Sequence, residues 1–231
     1  MSGDTTRRGF LTAAGTGVAA AIAGCSSSSD TTTSDDGGDD TQTSGGGTLE
    51  MMATGSIQTL DPVNAKGSGA GYNQYGAPLM RFPDGLYPPE AALVEDYSIS
   101  EDGLTYTFNL KQDLTFHDGQ EFTAQDAVYT YRRMAESENS QNKDDIIGQT
   151  MTIEHEKDAS IASPEDEETL DDIVPQSLAV RAPDDYTFEF DLASPFEYTL
   201  FQIAGGNWAM LPENSVGDIE GYDGEYSYNE F

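Results

Sequence analysis

Cys25 is the only cysteine among the 231 residues, so it cannot form a disulfide within the chain. It follows the small residues Ala23 and Gly24, at the end of a short apolar run that begins near residue 12. This setting resembles a lipobox, in which the cysteine thiol receives a lipid and the cysteine becomes the new N-terminus. We therefore expect Cys25 to be lipidated. A cysteine that falls by chance in a simple export signal is the alternative.

Arg7 and Arg8 precede the apolar run, and Phe10 follows them closely. A charged start, a short apolar stretch and small residues before the cleavage point are the layout of an export signal. The arginine pair resembles the twin-arginine signal, which exports folded proteins. The run is shorter and richer in Gly and Ala than the roughly 20 apolar residues of a spanning helix. We therefore predict a twin-arginine signal with a lipobox over residues 1–25, and an N-terminal membrane helix is the alternative.

His117 and Asp118 are adjacent and could form an acid–base or metal-binding pair. The sequence has only 2 histidines, and the other is His155. Zinc requires three or four closely spaced ligands, and the acidic runs lack the regular spacing of a calcium loop. No Gly-x-Ser-x-Gly elbow, Cys–His pair or phosphate loop is present either. We therefore predict no catalytic residues, no metal and no cofactor, and we expect His117 to end a strand and bond in a turn.

Acidic side chains dominate the composition, with 42 Asp and Glu against 10 Lys and Arg and a formal net charge of −32. This excess argues against a nucleic-acid partner, because phosphate binding requires clustered cations. An acidic surface repels itself, and salt screens that repulsion, with a Debye length of about 3 Å at 1 M. We interpret the composition as halophilic. An ordinary acidic domain is the alternative.

The chain beyond the signal divides into a polar tether and an ordered region. Residues 26–47 contain Ser, Thr, Asp and Gly without a large apolar side chain. Such a segment cannot offset the entropy lost on ordering, so we predict a disordered tether. Apolar and polar residues then alternate over 105–110 and 186–192, which predicts two half-buried strands. Thr123 and Asp126 resemble a capping box that starts a helix.

Shorter patterns predict further elements. They indicate strands over 48–54, 96–100 and 114–117, and helices over 72–82, 90–93 and 195–204. Between residues 136 and 176, apolar residues are sparse and acidic residues are dense. We interpret that stretch as a long, exposed insertion with at most brief helix or strand.

Two runs carry a family resemblance: residues 102–110, DGLTYTFNL, and residues 114–128, LTFHDGQEFTAQDAV. With Leu60-Asp61-Pro62 upstream, they resemble a signature of the family 5 solute-binding proteins, the peptide, dipeptide and nickel receptors of ABC importers. The resemblance covers most of residues 48–212. It implies an α/β class with mixed α+β sheets, in a periplasmic-binding-protein-like fold of class II (type C). Tyr97 stands where the family usually has Trp, and we expect it to remain an aromatic plug.

The resemblance also implies the domain organisation. Lobe I begins over residues 48–71, an extra subdomain occupies 72–192 with the acidic insertion at 136–176, and the chain returns into lobe I over 193–231. Family members are longer and have a second lobe. We therefore expect an incomplete receptor that binds no transported solute usefully by itself, because such receptors close two lobes around the ligand.

The resemblance points to a ligand-binding set as well. In the family, the residues after Leu-Asp-Pro run along the cleft, which here are Lys66, Gly67 and Ser68. Gly67 permits close backbone approach, and Lys66 could meet a carboxylate. Asn207 and Trp208 follow a helix that reaches the same cleft. An ordinary surface loop is the alternative for residues 66–68, and a core position is the alternative for Trp208.

The expected function is therefore a substrate-binding lipoprotein of an ABC importer. The protein would be a monomer on the extracytoplasmic face of the membrane, capturing peptides or a related small solute for the permease subunits. A secreted cell-surface hydrolase and a structural surface lipoprotein are the alternatives. The hydrolase would require a nucleophile or metal cluster, the structural protein would show internal repeats, and neither feature is found in the sequence.

Replacing Cys25 with Ser removes the thiol that would accept the lipid, so the protein should move from the membrane fraction to the medium. Cell fractionation with immunoblotting measures this, and membrane retention of the variant would contradict lipid anchoring. Replacing both Arg7 and Arg8 with Lys keeps the charge but should block export. Normal secretion of that double variant would contradict the twin-arginine route.

Overall fold

The computed structural model describes residues 59–65, 75–148, 151–158, 160, 170 and 172–225. Every described residue belongs to one compact unit of the chain. The predicted export signal, tether and first strand lie outside the described residues. Within the described ranges, no helix is both long and apolar enough to cross a membrane.

Six strands and three helices form the described fold. The strands are β1 (Met80–Arg81), β2 (Glu90–Ala91), β3 (Val94–Ile99), β4 (Thr105–Leu110), β5 (Val180–Asp184) and β6 (Thr187–Asp191). The helices are α1 (Ala124–Glu136), α2 (Lys143–Ile147) and α3 (Thr199–Gln202), with 3-10 turns at Pro83–Gly85 and Gly206–Trp208. β1 pairs with β2, and the other four strands form an antiparallel sheet in the order β3-β4-β6-β5.

The core lies on one face of the four-stranded sheet. Tyr106 and Phe108 of β4 stand opposite Phe190 and Phe188 of β6, and all four side chains are buried. The rings of Tyr106 and Phe190 stack at 5.1 Å, as cross-strand aromatic pairs do when they stabilise a sheet. The alternation in the sequence therefore predicted both strands, which are confirmed, because the apolar residues share one face.

α1 covers this aromatic face. At its start, the Thr123 N–H donates to the Asp126 carboxylate at 2.6 Å, and the predicted capping box is confirmed. On its buried side, the ring of Tyr131 lies 4.8 Å from that of Phe188 and 5.1 Å from that of Trp208. Helix and sheet thus form a two-layer core that also includes the segment around Trp208.

Several short predictions are wrong. Residues 80–81 and 90–91 pair as strands β1 and β2 where helices were expected. The hydrogen-bonded pairing of the two strands and the burial of Leu79 and Met80 stabilise this arrangement over a helix. Pro78 already disfavours a helix in this segment. Residues 114–117 contribute only an isolated bridge from Thr115 to Glu121, and the helix expected over 195–204 is limited to α3.

The prediction of an exposed insertion over 136–176 is wrong for much of its described part. Ile146, Met151 and Ile153 are fully buried, and Ile153 forms a bridge with Leu192. A few apolar residues among many acidic ones are enough to hold this stretch against the core. Tyr97, expected to be an aromatic plug, is 42% exposed on the edge strand β3, where its ring lies 6.1 Å from that of Phe108.

A buried ion network joins three remote segments of the chain. The side chain of Arg133 on α1 has no exposed surface, and its Nη1 and Nη2 groups donate to the two Asp61 carboxylate oxygens at 2.9 and 2.6 Å. Its Nε and Nη2 groups donate to Asp218 at 2.7 and 2.9 Å. Burial alone would raise the pKa of Asp218, but hydrogen bonds from Arg133 and Ser137 outweigh burial and hold it below the usual value.

Replacing Arg133 with Leu leaves two buried carboxylates without a counter-charge. The free energy of unfolding should therefore fall by about 3–5 kcal/mol, measured from denaturant unfolding curves at molar salt. The control is Arg181→Leu, because Arg181 pairs with Glu189 and Asp191 but its side chain is 43% exposed. That variant should lose at most about 1 kcal/mol. Equal losses in the two variants would show that the buried network has no special role.

Candidate functional site

The structure describes only part of the predicted ligand-binding set. Asn207 and Trp208 are described, whereas Lys66, Gly67 and Ser68 lie outside the described residues, as do Cys25, Arg7 and Arg8. The chain immediately before residue 66 is described, however, and its contacts show how the backbone from Pro62 to Ala65 is held.

A single side chain fixes the backbone that leads into residue 66. The buried amide of Asn142 donates to the carbonyl oxygens of Pro62, Val63 and Ala65 at 2.9, 3.0 and 3.0 Å. The N–H of Gln141 adds a bond to the Val63 carbonyl at 3.0 Å. Because these carbonyl groups converge on one amide, the backbone from Pro62 to Ala65 is held in one conformation.

A second set of bonds fixes Asn207. The carboxylate of Asp145 accepts from the Asn207 side-chain amide at 3.1 Å and from the Gln202 amide at 3.0 Å. All three side chains are half-buried. Gly205 makes room for this arrangement, because a Cβ there would lie only 2.6 Å from the Asn207 Oδ1 atom.

Trp208 lies on the core side of this site. It is 1% exposed, and its ring packs against Tyr131 at 5.1 Å. Trp208 therefore occupies a core position, which was the alternative to ligand binding in the sequence analysis. Contact between its ring and a solute stays a prediction.

The backbone of residues 62–65 and the side chain of Asn207 are therefore hydrogen-bonded to one short stretch. Asn142 immediately precedes α2 and Asp145 lies within it. The side chain of Asn142 makes no capping bond to its own helix, and its Nδ2 atom donates to the segment before residue 66. Sequence reasoning missed Asn142, Asp145 and Gln202, because these residues lie far along the chain from the groups that they contact.

The described residues also form a largely apolar cavity of about 770 Å³. Its wall includes Pro62 and His117, and Asn207 is not among the described residues that line it. His117 lies in the turn closed by the Gly119 N–H and the Phe116 carbonyl, and its Nε2 atom lies 2.9 Å from the Tyr75 carbonyl oxygen. Apolar side chains dominate the wall: Leu60, Leu93, Leu114, Phe116, Phe122, Met210 and Leu211.

In the part of the chain that the structure describes, no group of three or more His, Cys, Asp or Glu side chains is arranged to hold a metal ion. What the geometry provides is a polar group at α2 and an apolar cavity. In the polar group the amides of Gln202 and Asn207 donate to the Asp145 carboxylate, and the cavity presents mainly apolar surface.

Known proteins resemble this chain. The model of the bacterial extracellular solute-binding proteins, family 5, middle part, matches residues 88–228. A putative ABC transporter peptide-binding protein of Brucella ovis is 34% identical over 159 residues, which cover 69% of this chain and 24% of the relative. Heme-binding protein A of Haemophilus influenzae is 41% identical over 61 residues, which cover 24% of this chain and 11% of the relative. The chain thus spans a quarter or less of the length of these relatives.

A solved structure shows the same fold. NikZ from Campylobacter jejuni, in complex with Ni(L-His), superposes with a TM-score of 0.51 at 20% sequence identity, covering 68% of this chain and 26% of the other. The likeness at this identity concerns the fold alone. It confirms the predicted mixed helix-and-sheet, periplasmic-binding-protein-like class.

Proposed function

The chain belongs to the bacterial extracellular solute-binding proteins of family 5, and we propose that it serves an ABC importer as part of the substrate-binding protein. In this role it captures peptides, or a related small solute, outside the cytoplasm and delivers them to the permease subunits. The observation that carries the proposal is the joint anchoring at α2 of the backbone leading into residue 66 and of Asn207.

The chemistry at α2 suits a peptide. A peptide presents backbone N–H and C=O groups and two charged termini, so a site for it requires both donors and acceptors. Asn207 and Gln202 supply amides, and Asp145 supplies a carboxylate. Lys66 would add a cation for the peptide carboxylate. A large apolar solute is the second candidate, favoured by the cavity of about 770 Å³ and its apolar wall.

The same proposal includes the location of the protein. Lipidation at Cys25 would hold it on the extracytoplasmic face of the membrane after export by the twin-arginine route, and residues 26–47 would act as the tether. The protein would work as a monomer without a catalytic role. Support for this part comes from the sequence patterns alone.

Deleting the gene should remove most of the uptake of a labelled mixture of di- and oligopeptides at limiting concentration, because capture outside the membrane then fails. Uptake assays on cells with and without a plasmid copy of the gene measure this. Uptake of a free amino acid serves as the control and should not change. Peptide uptake that is unchanged for every peptide length would overturn the proposed function.

A further inference from the structure

We propose that the apolar cavity is a binding site for an apolar organic cation, meaning an ammonium group attached to an aromatic or aliphatic body. The cavity holds about 770 Å³, within the range of roughly 300–1,000 Å³ that is usual for small-molecule sites. None of the three side chains of the polar group at α2 is among the described residues that line it, so the two sites are separate. The inference sharpens the second candidate of the proposed function, but it concerns binding alone and does not require import.

The inner wall of the cavity is apolar and already ordered. The rings of Phe116 and Phe122 pack edge to face at 5.8 Å, and Phe122, Met210 and Leu211 are buried. The Leu211 N–H donates to the Thr130 hydroxyl at 3.0 Å, so this backbone donor is already used within the protein. A bound molecule must therefore present an apolar body to this wall, because a polar body would lose its hydrogen bonds to water.

The charged side chains in the wall have one sign. In the part of the chain that the structure describes, the wall contains Asp118, Glu213 and Glu225 and neither Lys nor Arg, and these three acidic residues are exposed. Charges of one sign that line a cleft attract ions of the opposite sign and repel ions of their own sign. An apolar cation therefore fits the cavity, whereas an apolar anion is disfavoured. A second copy of this chain, with its net charge of −32, is repelled in the same way.

One turn brings an aromatic ring and a carboxylate to the same part of the wall. The Gly119 N–H donates to the Phe116 carbonyl at 3.0 Å, and the Phe116 N–H donates to the Gln120 carbonyl at 2.8 Å. The Asp118 Oδ1 atom accepts from the Gln120 N–H at 2.9 Å. Because Phe116 and Asp118 both line the cavity, an ammonium group there is attracted by a carboxylate and by the face of an aromatic ring. The terminal carboxylate of a peptide would be repelled by Asp118.

Three probes with one pyrene body test this inference: 4-(1-pyrenyl)butylammonium, 4-(1-pyrenyl)butanol and 4-(1-pyrenyl)butanoate. Each is titrated into the purified full-length protein at molar salt, and the anisotropy of the pyrene emission measures binding. The ammonium probe should bind about tenfold more tightly than the butanoate, with the butanol between them, because the three differ mainly in charge.

A double variant tests the role of the charges in the wall. Asp118→Asn combined with Glu225→Gln removes two charges and keeps the shape of the wall, so the preference for the ammonium probe over the butanoate should fall to about threefold or less. The affinity for the butanol should not change. The matched control combines Glu138→Gln with Asp144→Asn, which are exposed and are not among the described residues of the wall. This control should keep the preference of the wild type.

A second pair of variants tests whether the probes occupy the cavity. Leu60 lines the cavity and is 53% exposed, so Leu60→Gln removes apolar contact with a ligand without emptying the core. It should weaken the binding of all three probes about three- to fivefold. The control is Leu86→Gln, because Leu86 is 65% exposed and is not among the described residues of the wall. That variant should bind the probes as the wild type does.

The possible results decide the inference separately from the proposed function. Preference for the ammonium probe that is lost only when Asp118 and Glu225 are neutralised supports it. Equal affinities for the ammonium and butanoate probes, or the same loss of preference in the control pair, would contradict the cation assignment. Unchanged binding in Leu60→Gln, or no binding of any probe, would overturn the site. Peptide uptake after deletion of the gene is a different measurement, so failure of this inference and failure of the proposed function remain distinguishable.

Discussion

The described fold depends on the pairing of Arg133 with two buried carboxylates. A buried charge is costly unless it is paired and hydrogen-bonded, and the planar guanidinium meets both Asp61 and Asp218 with two bonds each. Lysine could not do this, because its ammonium lacks the fixed fork of donors. The network ties the segment before residue 66 and the loop around residue 218 to the helix that covers the sheet. The absence of a side chain at Gly224 lets the backbone of this loop pass close to Gly217, because a Cβ on Gly224 would lie 2.1 Å from the Gly217 nitrogen.

The candidate site builds on this network in a second step. Arg133 fixes Asp61, the Asp61 Oδ1 atom accepts from the Val63 N–H at 3.0 Å, and Asn142 fixes the carbonyls as far as Ala65. Three residues after Asn142, Asp145 holds Asn207. A receptor gains affinity when its binding groups are already ordered before the ligand arrives, because less freedom is lost on binding. The contacts of α2 provide such order for groups that are distant in sequence.

The sequence predicted what local patterns encode. Alternation of Tyr106 and Phe108 with polar residues identified β4, and the spacing of Thr123 and Asp126 identified the start of α1. The Leu60-Asp61-Pro62 motif was recognised, but not the partner of its aspartate, because Arg133 lies 72 residues away. The bonds of Asn142 and Asp145 likewise join residues 57 to 80 positions apart. No local sequence pattern predicts contacts over such separations. Because apolar residues are sparse in the acidic stretch, its sequence did not predict the burial that holds α2 against the core.

Photo-cross-linking tests the location of the solute site most directly. A peptide carrying a benzophenone group is irradiated with the full gene product at molar salt, and the modified residues are identified by mass spectrometry. A site organised by α2 predicts cross-links within this chain at residues 66–68 and 202–208. Cross-links confined to residues 114–118 and 209–213, in the wall of the apolar cavity, would contradict it.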